Sequence, residues 1–548
     1  MVTDSITKTS PRVGVTDRAA DWMRRSRVGS VLIRLGRRPV PTHWSFIFAE
    51  VALYSFLVVI ISGLYLMFFY DPSSTVVVYG GSYAPLQGIE VSRALDSTLH
   101  ISFEVRGGLL IRQAHHWAAL LMIAAIVVHL LAVFFTGGFR RPRQLNWLVA
   151  VAVFVLSLIA GWTGYALPDD MLSGSGLRIV HGVILGIPVV GTWLSFLVFG
   201  GEFPSNIIGN FYPVHVVIVP VAIIALVGLY IALIASQRPA QFPGPGRTND
   251  NVVGVPLFPA YATKTGGLML IVVAIILLIS ATVTINPVWS YGPSSPGDAT
   301  AGSQPDWYMG FLDGALRLVP PGWEIVVFDR TITLSVLVPL AVVGVFMTAV
   351  AIYPFFEEWV VGGREEYNIL DRPRNAPTRT GLGVAGIVFY GALWGAASAD
   401  IAATRFQVSI ESVIHFYQAT LVVGPIVGFL VAREIALSLQ RKDQEVLAHG
   451  FETGRIVRLP GGEYIEVNQP VNGEKRSQLA AAGPPPMFVP QPSSPGHITL
   501  MQRLRVRLSS LFFEQRIVPQ IEAKATGVTA EEEDDAAVAL APIAPPQR

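Results

Sequence analysis

The chain has 548 residues, of which 52% are hydrophobic and 14% charged. Soluble domains carry about 25% charged residues, so this composition excludes an ordinary soluble globule. The net charge of +1 gives no electrostatic case for a nucleic-acid partner. Cysteine is absent, which excludes disulfides, Cys-ligated zinc, Cys-ligated iron–sulfur clusters and covalent CxxCH haem attachment within this chain. Any metal must be held by His, carboxylate or Tyr.

Residues 1–44 are polar and rich in arginine, with Arg24, Arg25, Arg27, Arg34, Arg37 and Arg38. They lack the short apolar core and small-residue cleavage site of a signal peptide. They read as a cytoplasmic segment ahead of a membrane span. Eight apolar runs follow, each long enough for a transmembrane helix. They cover about 46–70, 113–135, 145–167, 211–235, 266–285, 331–353, 381–401 and 413–434. A ninth run, 183–199, is short and broken by Pro188 and Gly191, and reads as part of an interfacial hairpin.

Arginine placement orients the spans, because cytoplasmic loops carry the excess of Lys and Arg. The connections 136–144, 236–265 and 354–380 hold Arg140, Arg141 and Arg143, then Arg238, Arg247 and Lys264, then Arg364, Arg372, Arg374 and Arg379. The long connection 168–210 carries only Arg178, and 286–330 only Arg317 and Arg330. The first outer loop is less clean, with Arg93 and Arg106. This fits a multi-pass protein of the cell membrane with eight spans and both termini cytoplasmic. The chain divides into 1–44, two four-helix halves at 45–236 and 237–436, and a soluble tail at 437–548. In the tail, RIVRLPGGEYIEV reads as a hairpin turning at Gly461-Gly462. The stretch 470–498 is rich in Pro, Gly and Ser and 531–535 is EEEDD; both read as linker or disorder.

Polar groups inside a bilayer are expensive and mark function. The second span contains HHWAALLMIAAIVVH, with His115, His116 and His129. Fourteen residues separate His115 from His129. On a helix that places them within about 40° of one another and roughly 21 Å apart along the axis. Two metal sites stacked across a membrane would need this arrangement; the bland alternative is two histidines hydrogen-bonded inside a bundle. The fourth span adds His215 near its outer end, at the depth of His115. His116 points about 100° away from His115. It reads as a packing or propionate-side residue.

The chain resembles the cytochrome b subunit of the quinol–cytochrome c reductase (cytochrome bc complex, respiratory complex III) in its actinobacterial form. The resemblance rests on PTHWSF (41–46), ISFEVRGGLLIRQAHHWAAL (101–120), FFTGGFRRPR (134–143), GYALPDDMLSGSGLR (164–178), QFPGPGRTNDNVVGV (241–255), GSQPDWYMGFLDGALRLVPP (302–321) and VLAHGFETGRIVRLPGGEYIEVNQP (446–470). It implies an all-α integral membrane fold, an eight-helix bundle with b-type haem between the second and fourth helices, and a soluble C-terminal tail. His115 and His215 would be the axial ligands of the outer haem. His129 would be one ligand of an inner haem. The position implied for the other inner ligand, fifteen residues after His215, is Tyr230.

Tyr230 leaves three readings open. It ligates iron as a phenolate, or the inner haem binds through His129 alone, or the inner site holds no haem and Tyr230 is a core residue. The family usually also has an Arg shortly after the inner histidine, where this chain reads HLLAVFF.

Pro305, Asp306, Trp307 and Tyr308 form PDWY, the quinol-oxidising motif implied by the resemblance. Asp306 would accept a proton from quinol, and Tyr308 would donate a hydrogen bond to a quinone oxygen. Read without the family, PDWY is only good turn chemistry. The implied activity is oxidation of menaquinol at the outer face, with electrons passing to a Rieske iron–sulfur partner and to the b haems, coupled to proton translocation. The implied partners are that Rieske protein, a c-type cytochrome subunit, a terminal oxidase and a second copy in a dimeric complex. One rival is a divergent paralogue with the outer haem only and an incomplete Q cycle. The other is a polytopic transporter, which predicts internal repeats or broken helices with charged residues at the midplane; no such repeat is seen, and Glu50 is the only carboxylate well inside a span.

Overall fold

The computed structural model describes residues 26–479 and 499–513, apart from 202, 205, 296, 298–303 and 363–364. Arg24, Arg25, Arg364, the linker from 480 to 498 and the acidic run 531–535 lie outside the described residues.

Among the described residues, seven helices are long and apolar enough to cross a membrane: Trp44–Leu66, Gly108–Phe135, Gln144–Ala166, Ile207–Ser236, Leu257–Thr282, Leu334–Val361 and Ile410–His449. A bent pair, Pro377–Ala396 and Ala399–Phe406 with 69° between its halves, makes eight when counted as one span. These coincide with the eight apolar runs, and the predicted run 381–401 crosses the bend. A helix satisfies its backbone polar groups internally, which the hydrocarbon core demands. The spans are apolar on all sides, and Ile61, Leu64, Leu270, Val345 and Val422 remain exposed at the surface of the chain. That is the pattern of helices whose outer face meets lipid. The fold is that of a multi-pass membrane protein.

The ninth apolar run is a helical hairpin. It divides between the end of helix Met171–Leu185 and helix Gly191–Phe199, which pack on each other. The last span runs on to His449, so the predicted start of the tail at 437 falls inside a helix. The reason is electrostatic: Asp443 on that extension pairs with Arg372 and Arg374, both at 3.0 Å. The tail hairpin forms as read from the sequence. Phe451–Arg458 pairs antiparallel with Tyr464–Gln469, and Gly462 closes the turn at φ 92°, where glycine is favoured.

The first span packs on the second, the third on the fourth, the fifth on the first and second, and the seventh on the eighth. Their common core includes Phe56, Ile123, Phe154 and Ile223, and it continues into Tyr308, Phe311 and Leu393. The segment around PDWY is therefore built into the bundle core. On the arginine-rich side the charges are tied down. Arg379 bonds Glu357 at 2.5 Å and Asp371 at 2.9 Å, and Arg140 reaches Asp371 at 3.1 Å.

The third span leads into Asp169 and Asp170. Asp170 caps helix Met171–Leu185 by accepting from the Leu172 amide at 3.2 Å. Its other oxygen is buried with no hydrogen-bond partner among the described residues. Burial pushes both carboxyls up to about 6. A raised carboxyl favours the protonated fold, so this stability is full below pH ~4 and is lost as pH rises through about 6. Each shift corresponds to about 3 kcal/mol at most. An Asp169→Asn/Asp170→Asn variant should therefore show a flatter melting temperature from pH 4 to 7 than the parent, measured in detergent. Asparagine still caps a helix and tolerates the φ of 54° at residue 169. Equal pH slopes in parent and variant would refute this reading.

Candidate functional site

His115 and His215 face each other near the end of the bundle opposite the arginine-rich connections, with ring centroids 6.1 Å apart. Neighbouring helices set each ring through Nδ1. On the first span, Ser62 donates its hydroxyl to Val58 O at 2.6 Å, leaving its oxygen 3.0 Å from His115 Nδ1 to accept. On the third span, the Ala160 carbonyl and the Thr163 hydroxyl lie 3.0 and 3.3 Å from His215 Nδ1. With Nδ1 engaged in this way, each Nε2 is the nitrogen left for a metal.

Two glycines make room for these rings. A Cβ on Gly63 would come within 3.1 Å of His115 Cε1, and one on Gly164 within 2.4 Å of His215 Cε1. The space they frame is a cavity of about 240 Å³. Arg112 also lines it. Its Nη2 donates to Asn286 O at 3.1 Å, while its buried Nε has no hydrogen-bond partner among the described residues. Opposed imidazoles, a glycine cradle and an unspent buried cation fit a bis-histidine haem with an anionic propionate.

The same cavity reaches Asp306 and Tyr308. They lie at the turn Trp307–Met309, which opens helix Gly310–Arg317. Tyr308 is 3% exposed and donates to Asp306 Oδ2 at 3.1 Å. Gly161 on the third span admits it, since a Cβ there would lie 2.4 Å from Tyr308 Oη. Trp394 Nε1 donates to the Trp307 carbonyl at 2.8 Å, and Gln304 donates to Asp400 at 2.9 Å. These bonds fasten the motif to the bent seventh span. Pro305 and Trp307 are not among the residues lining the cavity.

His116 requires a correction. The sequence reading made it a packing or propionate-side residue. In the structure its Nε2 lies 3.2 Å from Asp306 Oδ2. The 100° offset from His115 turns it out of the imidazole pair and towards the PDWY segment. Tyr308 also donates its hydroxyl to Asp306. Arg112, Gly63, Gly164, Ser62 and Thr163 had not been singled out. Their signal was position alone, next to the histidines on neighbouring spans. Glu50, the carboxylate inside the first span, is held by Thr265 at 2.7 Å and by the Tyr261 hydroxyl.

Towards the arginine-rich end, His129 and Tyr230 meet as the resemblance implies. His129 Nε2 and Tyr230 Oη share a hydrogen bond of 2.9 Å.

Known proteins match this chain closely. A cytochrome bc1 complex cytochrome b subunit of Streptomyces coelicolor is 45% identical over 512 residues, covering 92% of this chain and 94% of the relative. A protein of the same description from Mycobacterium tuberculosis H37Rv is 45% identical over 465 residues, covering 84% of each chain. The chain belongs to the family of cytochrome bc1 complex cytochrome b subunits. The family model described as Cytochrome b(N-terminal)/b6/petB matches residues 120–293. A chain of a hyperthermophilic respiratory Complex III has the same fold, with a TM-score of 0.56 at 19% identity; the match covers 76% of this chain and 99% of that one. Membership makes this cytochrome b a haem-b subunit of a membrane redox complex, a respiratory quinol–cytochrome c reductase.

Proposed function

We propose that this subunit oxidises a quinol, menaquinol by its family, in the outer cavity shared by His115, His215, Asp306 and Tyr308. That shared cavity carries the reading, because it puts an electron-acceptor site and a proton-acceptor pair on one space. His115 and His215 would hold haem b through Nε2, and Arg112 would pair with a propionate. The haem supplies a one-electron acceptor when bound. Quinol oxidation releases two protons and two electrons. Asp306 takes a proton at its carboxylate, and His116, 3.2 Å away, is placed to receive or stabilise it. Tyr308 holds the carboxylate in position through its 3.1 Å hydrogen bond.

The other electron needs an acceptor on another chain. A Rieske iron–sulfur protein fits, since this chain has no cysteine to ligate a cluster. A c-type cytochrome subunit and a terminal oxidase complete the chain of acceptors, in a dimeric complex. The arginine distribution supports a topology with both termini in the cytoplasm and the quinol cavity outside, in which protons leave on the outer side. Mixing the purified complex anaerobically with menaquinol should reduce its b haem, read from the α-band. A b haem that stays oxidised with excess menaquinol would overturn this reading.

A further inference from the structure

The inner depth does not repeat the construction of the outer one. The outer site rests on Ser62-Gly63 facing His115 and on Thr163-Gly164 facing His215. On the second span the next histidine comes fourteen residues later, at His129. The first and third spans run in the opposite direction. The same fourteen-residue step back along them reaches Phe48-Ala49 and Val149-Ala150. On the fourth span the step is fifteen residues. Val214–Ile218 is a π-turn there, which takes up one residue more. That step ends at Tyr230.

The side chains that support the outer site are thus changed one tier inward. Phenylalanine and valine stand where the hydroxyls stand outside. Alanine replaces both glycines, and a phenol replaces one imidazole. The two remaining candidate ligands also contact each other. Metal–nitrogen bonds of about 2 Å on each side need donor atoms about 4 Å apart, and His129 Nε2 is 2.9 Å from Tyr230 Oη. In the same structure His115 and His215 spend only Nδ1 on neighbours. The charges differ too. Arg112 outside has a buried Nε without a partner. Inside, Arg143 bonds three backbone carbonyls and Asn368, and no cation occurs between 129 and 135.

We infer that this chain is a cytochrome b with a single haem tier: Ala49, Ala150 and the His129–Tyr230 contact close the inner tier to a second haem. The inference rests on the outer-haem reading proposed above. It has a functional consequence. The chain offers no iron relay from its outer cavity to its inner face, so quinol oxidation is not wired through this subunit to a quinone on the inner side.

The test uses the purified complex. Non-covalent haem is extracted into acid acetone and counted per copy of this chain, and the b α-band is titrated against potential. One haem b per chain and a single one-electron component are expected. His129→Ala should leave both unchanged. Ala49→Gly/Ala150→Gly/Tyr230→His should raise the count towards two and add a second low-spin component. Two b haems per parent chain, or loss of one in His129→Ala, would overturn the inference. So would a folded triple variant that stays at one haem. A parent with no haem b, or a His215→Ala variant that keeps it, would instead overturn the outer-site reading.

Discussion

His115→Ala or His215→Ala should remove the b-haem spectrum completely, because each deletes half of a two-imidazole site. Water offers a replacement ligand, but not one held by a neighbouring helix. The rings are also fixed from behind, so weaker variants should grade the effect. Ser62→Ala and Thr163→Ala remove hydroxyls within 3.0 and 3.3 Å of the two Nδ1 atoms. Outer partners of this kind are worth about 10- to 100-fold in affinity. His215 keeps the Ala160 carbonyl at 3.0 Å, so Thr163→Ala should cost less than Ser62→Ala. Gly164→Val should behave like loss of His215. Its Cβ would start 2.4 Å from the ring, and a third-span helix pinned in the core cannot retreat. The measurement is haem b per chain after purification, with circular dichroism to establish that the helices persist. Full haem in His115→Ala would remove that residue from the site.

The spans were legible because lipid imposes one rule on every residue of a crossing helix. Length and apolarity located the seven unbroken helices, and the run 381–401 falls on the pair that bends by 69°. The bend itself was hidden, because Ala397 and Ser398 carry no breaker signal. Helical rise related His115 to His129, the span directions brought His215 to the depth of His115, and the resemblance pointed to Tyr230; the structure sets the four in two facing pairs. What sequence spacing could not give was the facing between non-adjacent segments. His116 and Asp306 are 190 residues apart, and no periodicity relates a span to a loop. The glycines were invisible for a different reason. Gly63 and Gly164 sit in helices where glycine costs stability, and only the ring beside each one explains it. The fifteen-residue step to Tyr230 likewise had no account until the π-turn at Val214–Ile218 supplied the extra residue.

Asp306→Asn should slow quinol oxidation on the order of 10²-fold, the usual size of a lost general base, while the b-haem spectrum stays as in the parent. The substitution is chosen because the structure can absorb it. An asparagine oxygen still accepts from the Tyr308 hydroxyl, now 3.1 Å from the carboxylate, and its amide can donate to an unprotonated His116. The turn is fastened independently by the Trp394–Trp307 and Gln304–Asp400 bonds. What the amide cannot do is take up a proton. His116→Ala leaves the carboxylate and its tyrosine in place but removes the group 3.2 Å away, so its loss should be smaller and should change the pH profile of turnover. The double variant should be no slower than about the Asp306→Asn level, since both residues act on one proton path and such effects do not add. Turnover is measured with menaquinol and the purified complex, beside the haem spectrum of each variant. Parent-like turnover in Asp306→Asn would take the carboxylate out of the reaction and leave PDWY as a structural turn.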